Sequence, residues 1–481
     1  MRLVLHSLPI VLLLVLSPAS SYFAWVLSAE FSMVAQATAA VSSEEVTRLQ
    51  KFAEADRLYR AGDVAAAEKL YRELKPSFAI SETEEAGRIK EAITDWQKLS
   101  AAGQVYWQEA QAELEQNLPT KAAIALQLLL DMHPEFVPGY ELLVRSLLTY
   151  GDNVEALKVL ERATILFPER PELLRQKIEL LAANEKWLEG SIAARQFAIL
   201  NPHHPQATEF LHLAEENWER FRRHLRRKLR ENTIASVITG VFTLMKGENA
   251  LGERTAQAVK QQLPIIEDKE VVAYINEIGK KLAYLSGRNF EYEFYVIRDK
   301  DLNAFALPGG KIFINAGAIL QSNSEAELAG LLAHELAHTI LSHSFQRIAE
   351  EILLSNVTQI IPLGDPLTNL VIFDYSHEQE QQADILGTRM LVAAGYAADG
   401  LYNLMVTLKE RKGSGRFLNF LSTQPPTTER INYLAKLIQR NGYNRYTYEG
   451  VERHGKIKAR LEKILKGINP DKEKKHMRSN Q

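Results

Sequence analysis

A chain of 481 residues with 46% apolar, 24% charged and 8% aromatic side chains has the make-up of two or three globular domains, not of a disordered, collagen-like or multi-span membrane chain. Its 57 Lys+Arg stand against 60 Asp+Glu, a net charge of −3; that balance lacks the basic excess phosphate contacts demand and argues against nucleic acid as a partner. There is no cysteine, so disulfides, thiolate metal sites and cysteine nucleophiles are excluded, and any tightly held metal needs His, Asp or Glu.

In chain order, residues 1–37 read as a secretory leader. Arg2 precedes the apolar run Leu8 to Leu16, no acidic residue occurs before Glu30, and Ala35-Gln36-Ala37 offers a small-x-small cleavage site. Read continuously through Tyr22 to Leu27, the same stretch is an uncleaved helix that anchors the chain in a membrane. Both readings place the rest of the chain outside the cytoplasm, in the periplasm or secreted.

From residue 43 to 220 the pattern is helical and repeats every 34 residues. Asn117, Gly151 and Glu185 fall at breaks between helices; Ala122, Ala156 and Gly190 follow five residues later, and Pro134, Pro168 and Pro202 share the step. This is the tetratricopeptide period: crossing helices need a small residue at the contact, and proline stops the second helix. An earlier unit around Gly62, Asp63 and Ala67 is out of register, so an extra helix is expected between Glu82 and Leu99. Such arrays bind protein partners on a concave face. Residues 221–247 then form a connection, basic from Arg220 to Arg230 and mostly apolar from Thr233 to Met245. It reads either as an element lying on anionic lipid or as a helix packed between domains.

The chemistry lies in residues 248–440. Ser324 with Glu327 makes a capping box, so a helix begins there. On it, His334 and His338 are four apart and share a face, as two ligands of one zinc ion do, with Glu335 beside them as general base. A third ligand is expected from Asp374 to Asp384, where the spacing leaves His377, Glu378 and Glu380 all eligible, and where one carboxylate of the Glu380/Asp384 pair can bind metal while the other orients an imidazole. The strand Lys311 to Asn315 is expected beside this helix, with its edge free to take an extended substrate. The apolar stretch Ile352 to Phe373 suits a groove wall or a core helix pair, and residues 441–481, with Lys456, Lys472, Lys474, Lys475 and His476, read as a basic mobile tail.

The stretch from Glu248 to Ala435 resembles the HtpX-like and CAAX prenyl protease zinc metallopeptidases, peptidase family M forty-eight. The matching pieces are Asn303 to Gly317 with Pro308-Gly309-Gly310, His334-Glu335-x-x-His338 with His343 beyond, and Glu380-x-x-Ala383-Asp384. The resemblance implies a gluzincin, so the fold class expected is mainly α: a repeat array followed by an α+β peptidase domain. It makes Glu380 the third ligand of one zinc ion per chain, and Asp384 a residue acting behind the ligands. Periplasmic members of the BepA type also join this domain to tetratricopeptide repeats, though after it rather than before. Where the family often has Ser-Thr-His-Pro ahead of the usual arginine, Arg430 here, this chain has Gln424, a weaker metal ligand than histidine. The activity expected is zinc-dependent cleavage of extracytoplasmic or membrane-associated polypeptides; the rival is a chaperone scaffold with a structural zinc.

Overall fold

The structure is a computed structural model that describes residues 46–78, 92–168, 170–231, 241–354, 375–411 and 428–467. The leader, most of the Ile352 to Phe373 stretch, Gln424 and residues 468–481 lie outside these. The fold is mainly helical with one small sheet. Among the described residues no helix is long and apolar enough to cross a membrane.

The chain divides into two compact units, Met1–Lys75 and Pro76–Gln481. In the first, a helix over residues 46–60 turns through Gly62 (φ 88°) into a helix from Val64 to Leu74, whose first turn Asp63 caps through Ala66 N. Tyr71 is buried between them and donates a 2.7 Å hydrogen bond to Asp56 Oδ1.

The second unit opens with three helical hairpins, Ala101–Glu115 with Pro119–Met132, Val137–Thr149 with Asn153–Leu166, and Pro171–Ala183 with Trp187–Leu200. The 34-residue register has a backbone cause. Asn117, Gly151 and Glu185 are the left-handed residues of the hairpin turns, with φ of 59°, 87° and 61°. Ala122 and Ala156 are fully buried at the helix contacts. The described part of the expected extra helix is not α-helical. Ile93 instead bridges to Phe136, and Asp95 caps a single 3-10 turn from Trp96 to Lys98. Ile93 N–H donates to Glu135 O and Ile93 O accepts from Val137 N–H, so its backbone is spent on a neighbour.

A 25-residue helix, Ala207–Glu231, follows the last hairpin and runs unbroken through the basic stretch. Its arginines line one side; Phe221 and Leu225 on the other join Leu188 and Ile192 of the last hairpin and Phe345 and Ile348 of the peptidase region in one core. Val241 and Leu244 are buried in that same core.

The sheet has the order β1-β3-β2, with β1 Glu293–Ile297, β2 Ala304–Leu307 and β3 Lys311–Asn315. β3 is parallel to β1, with Glu293 opposite Lys311, and antiparallel to β2, with Phe305 opposite Phe313. The expected free edge of Lys311 to Asn315 is therefore corrected: β3 is the central strand, buried along its length, and β2 is the edge strand nearer the helix Glu325–Ile340 that carries His334 and His338. The reason is the Pro308-Gly309-Gly310 turn, whose glycines take φ of 68° and 83° and fold β2 back onto β3.

The expected tail is also corrected. Residues Val451–Leu465 form a helix whose Ile457 and Leu461 lie in the main core with Tyr274, Ile275 and the helix Glu325–Ile340. Lysines on the outer face mask an apolar stripe at helical spacing, which a charge count overlooks.

Candidate metal centre

The active-site helix, Glu325–Ile340, is buried at all of its residues. Ser324 caps it by accepting from Glu327 N at 3.1 Å. The reciprocal half of the expected capping box is displaced by one residue, because the Glu327 carboxylate takes Asn323 N–H at 2.8 Å. A complete box starts the neighbouring helix, His377–Ala393, through Ser376 and Gln379. These two helices can approach closely because of Gly387: a Cβ there would lie 3.0 Å from His334 N.

That crossing brings together the residues the sequence scattered. His334 Nε2 and His338 Nε2 face each other at 3.1 Å, and the Glu380 oxygens lie 3.5 and 3.6 Å from them. One donor atom from each of the three falls within 4.8 Å of the others. Of the eligible residues, His377 is exposed and Glu378 half-buried, whereas Glu380 is buried against the histidines. Asp384, one turn on, lies 3.0 Å from His334 Nδ1. Glu335 is buried beside them.

Motif spacing does not reveal four further contributors. Arg430, on the helix Thr428–Arg440, reaches both oxygens of Asp384 at 2.7 and 2.8 Å and Glu380 at 2.9 Å. Tyr375 stacks on the ring of His338, centroids 3.8 Å apart. His343 lies 3.0 Å from His338 Nδ1 and, on its other nitrogen, 3.0 Å from Oε1 of the fourth, Gln382. Arg430 and His343 are visible in the sequence only through the family likeness; no local pattern marks Tyr375 or Gln382.

The electrostatics follow from burial and these pairings. Burial pushes the Glu335 carboxyl up to about 8, with Glu380 adding to the rise and His334 and Arg430 opposing it. Burial would raise Asp384 too, but Arg430 and His334 hold it down to about 2. Glu380 is likewise brought down to about 2, against burial, by His334 and Arg430. Burial drives His338 well below its ordinary value, which leaves its lone pair available for a ligand bond.

The donors fit a divalent cation. The two buried imidazoles of His334 and His338 and the buried Glu380 carboxylate turn their donor atoms towards one point, as the ligands of a cation do. Nitrogen and carboxylate donors without sulfur suit a first-row divalent metal, zinc among them.

Residues 269–438 match the sequence family Peptidase family M48. This chain carries a domain of that family. Its M48 domain is similar to the mitochondrial metalloendopeptidase OMA1 of Schizosaccharomyces pombe, 29% identical over 176 residues, which cover 34% of this chain and 52% of that protein. It is also similar to the β-barrel assembly-enhancing protease of Yersinia pestis, 25% identical over 184 residues, 34% of this chain and 38% of that protein. Metalloprotease YcaL of Escherichia coli is 25% identical over 241 residues, 43% of this chain and 94% of that protein. The chain thus spans about half or less of the length of the first two relatives.

Proposed function

We propose that this chain is a zinc metalloendopeptidase, with one zinc per chain held by His334, His338 and Glu380, that cleaves polypeptides outside the cytoplasm. The observation that carries the reading is the buried three-donor cluster of His334, His338 and Glu380 on two crossing helices. Zinc there would polarise the scissile carbonyl and acidify water beside it.

The chain's own groups do the rest. Glu335, with its carboxyl raised by burial, takes a proton from the attacking water and returns it to the leaving amine. Asp384, clamped by Arg430, holds the His334 ring. An extended substrate is proposed to add along β2, whose pairing uses one side only. Recognition would then rest on main chain more than on side chains.

The leader pattern and the likeness to BepA-type members support an extracytoplasmic site of action; a role in envelope assembly or protein quality control is proposed with it, and the name of one relative, a β-barrel assembly-enhancing protease, supports the assembly part. The hairpins are proposed as a tetratricopeptide-type array for a protein partner, and the arginine side of the Ala207–Glu231 helix as a contact for anionic membrane.

The rival is a chaperone scaffold with a structural zinc. Structural sites commonly fill four protein ligands, and among the described residues the cluster offers three. Glu335→Gln separates the two: it is expected to keep zinc, measured by elemental analysis, and to lower casein cleavage at least about 100-fold. Undiminished cleavage would remove Glu335 from the mechanism. A parent protein that binds zinc, cleaves nothing and suppresses client aggregation would favour the scaffold.

A further inference from the structure

The two metal-facing histidines are held by different devices. His334 leans on a carboxylate, Asp384, at 3.0 Å. Among the described residues, no carboxylate stands behind His338. Its Nδ1 lies 3.0 Å from His343 Nδ1; His343 Nε2 lies 3.0 Å from Gln382 Oε1; and Gln382 Nε2 lies 3.3 Å from Glu378 Oε1. Both imidazoles of this chain are fully buried. His343 is set by Ser342, which turns the backbone at φ 64° so that a new helix starts one residue after it.

The proton positions along this chain follow from its far end. The Glu378 carboxylate accepts, so it faces the amide nitrogen of Gln382, and Oε1 is the end turned to His343. His343 Nε2 must then carry the hydrogen. Among the described residues the partners of its ring nitrogens are an imidazole and an amide, not a carboxylate, so buried His343 is neutral, and its Nδ1 is bare and can only accept. His338 is left one way to satisfy the contact: hydrogen on Nδ1, lone pair on Nε2. That lone pair is the one facing His334 Nε2 at 3.1 Å and Glu380 at 3.6 Å. The opposite tautomer would present an N–H where a metal ligand needs a lone pair.

We propose that His343 and Gln382 are positioning residues that lock His338 into its Nδ1–H tautomer, with the Gln382 amide, anchored on Glu378, setting the direction of the whole hydrogen-bond chain. The inference rests on the proposed zinc site and adds to it. A neutral amide does for His338 what the Asp384 carboxylate does for His334. The two ligands are therefore fixed without loading the pocket with a further negative charge.

The test uses the full-length protein loaded with zinc and reads binding, not turnover. Gln382→Met keeps the length and removes the acceptor; Gln382→Glu restores an acceptor. Competition with a chromophoric chelator is expected to show zinc held about 10- to 100-fold more weakly in Gln382→Met and within a few-fold of the parent in Gln382→Glu. The cobalt-substituted Gln382→Met protein should show an altered visible spectrum at unchanged far-UV circular dichroism. Zinc affinity within twofold of the parent in folded Gln382→Met would overturn the proposal. The parent supplies a reading independent of any variant: 15N NMR of its histidine-labelled, zinc-loaded form should show His338 protonated at Nδ1 and bound through Nε2, and binding through Nδ1 would overturn the proposal. A parent that binds no zinc would instead overturn the proposed function.

Discussion

Arg430 is the side chain on which the buried charge of the site depends. It spans Asp384 and Glu380 while itself largely buried, and removing one partner of such a pair leaves an uncompensated carboxylate. Arg430→Met is expected to lower unfolding stability by about 3–5 kcal/mol in urea titrations; a loss under about 1 kcal/mol would show that the pair breaks even with solvent. A second buried group makes a prediction about pH. His454 is held down to about 3, chiefly by burial and then by Lys458, between Tyr274 and the carbonyl of Ser322. Above about pH 6.5 it is neutral folded or unfolded. Below that value the unfolded chain takes up a proton that the folded chain refuses until about pH 3. Stability contributed by His454 is therefore complete above about 6.5 and lost as pH falls, by roughly 1.4 kcal/mol per unit across that window. His454→Gln should show a shallower acid limb in unfolding midpoints between pH 6 and 4; an unchanged slope would assign acid sensitivity to other groups.

Helices carry the next level of organisation. The helix Glu325–Ile340 is enclosed by the helices His377–Ala393 and Gly400–Arg411 and by the sheet, so His334 and His338, the proposed ligands, stand on a rigid support. The last described helix, Val451–Leu465, belongs to this support. Leu461 is fully buried, and Arg460 makes two 2.7 Å bonds to Asp268, the cap of the helix Lys269–Ala283. Leu461→Ala is expected to cost about 2–5 kcal/mol, whereas Lys456→Ala, on the outer face, should stay within about 0.5 kcal/mol. Equal, small effects of both in denaturant unfolding would mean that the helix is dispensable to the core.

At the scale of the whole second unit, repeats and peptidase region are not beads on a string. Leu188, Ile192, Phe221 and Leu225 share a core with Phe345 and Ile348, Gln196 Nε2 donates to Leu341 O at 2.9 Å, and Arg389 donates to Leu200 O at 2.5 Å. A fragment that begins at Glu248 uncovers the Phe345 and Ile348 face, so it should melt at a lower temperature and aggregate more than a chain that keeps residues 92–247. Equal melting curves would show that the two parts are energetically independent. The junction lies at the helix that carries His343, directly after the active-site helix.

The sequence by itself determined what is local. The 34-residue step placed the hairpin turns on the left-handed residues, and the four-residue spacing put His334 and His338 on one helix face, because helical geometry is set by neighbours in the chain. Spacing leaves His377, Glu378 and Glu380 all eligible, and the family likeness favours Glu380. The structure buries Glu380 against the histidines where the second helix crosses the first, with Gly387 meeting His334. The tertiary structure alone decided that β3 is central, that Arg430 bridges Asp384 and Glu380, and that Gln382 stands behind His338 through His343. Each of these joins residues far apart in the chain through packing, and no local spacing encodes which distant face a buried polar group will meet.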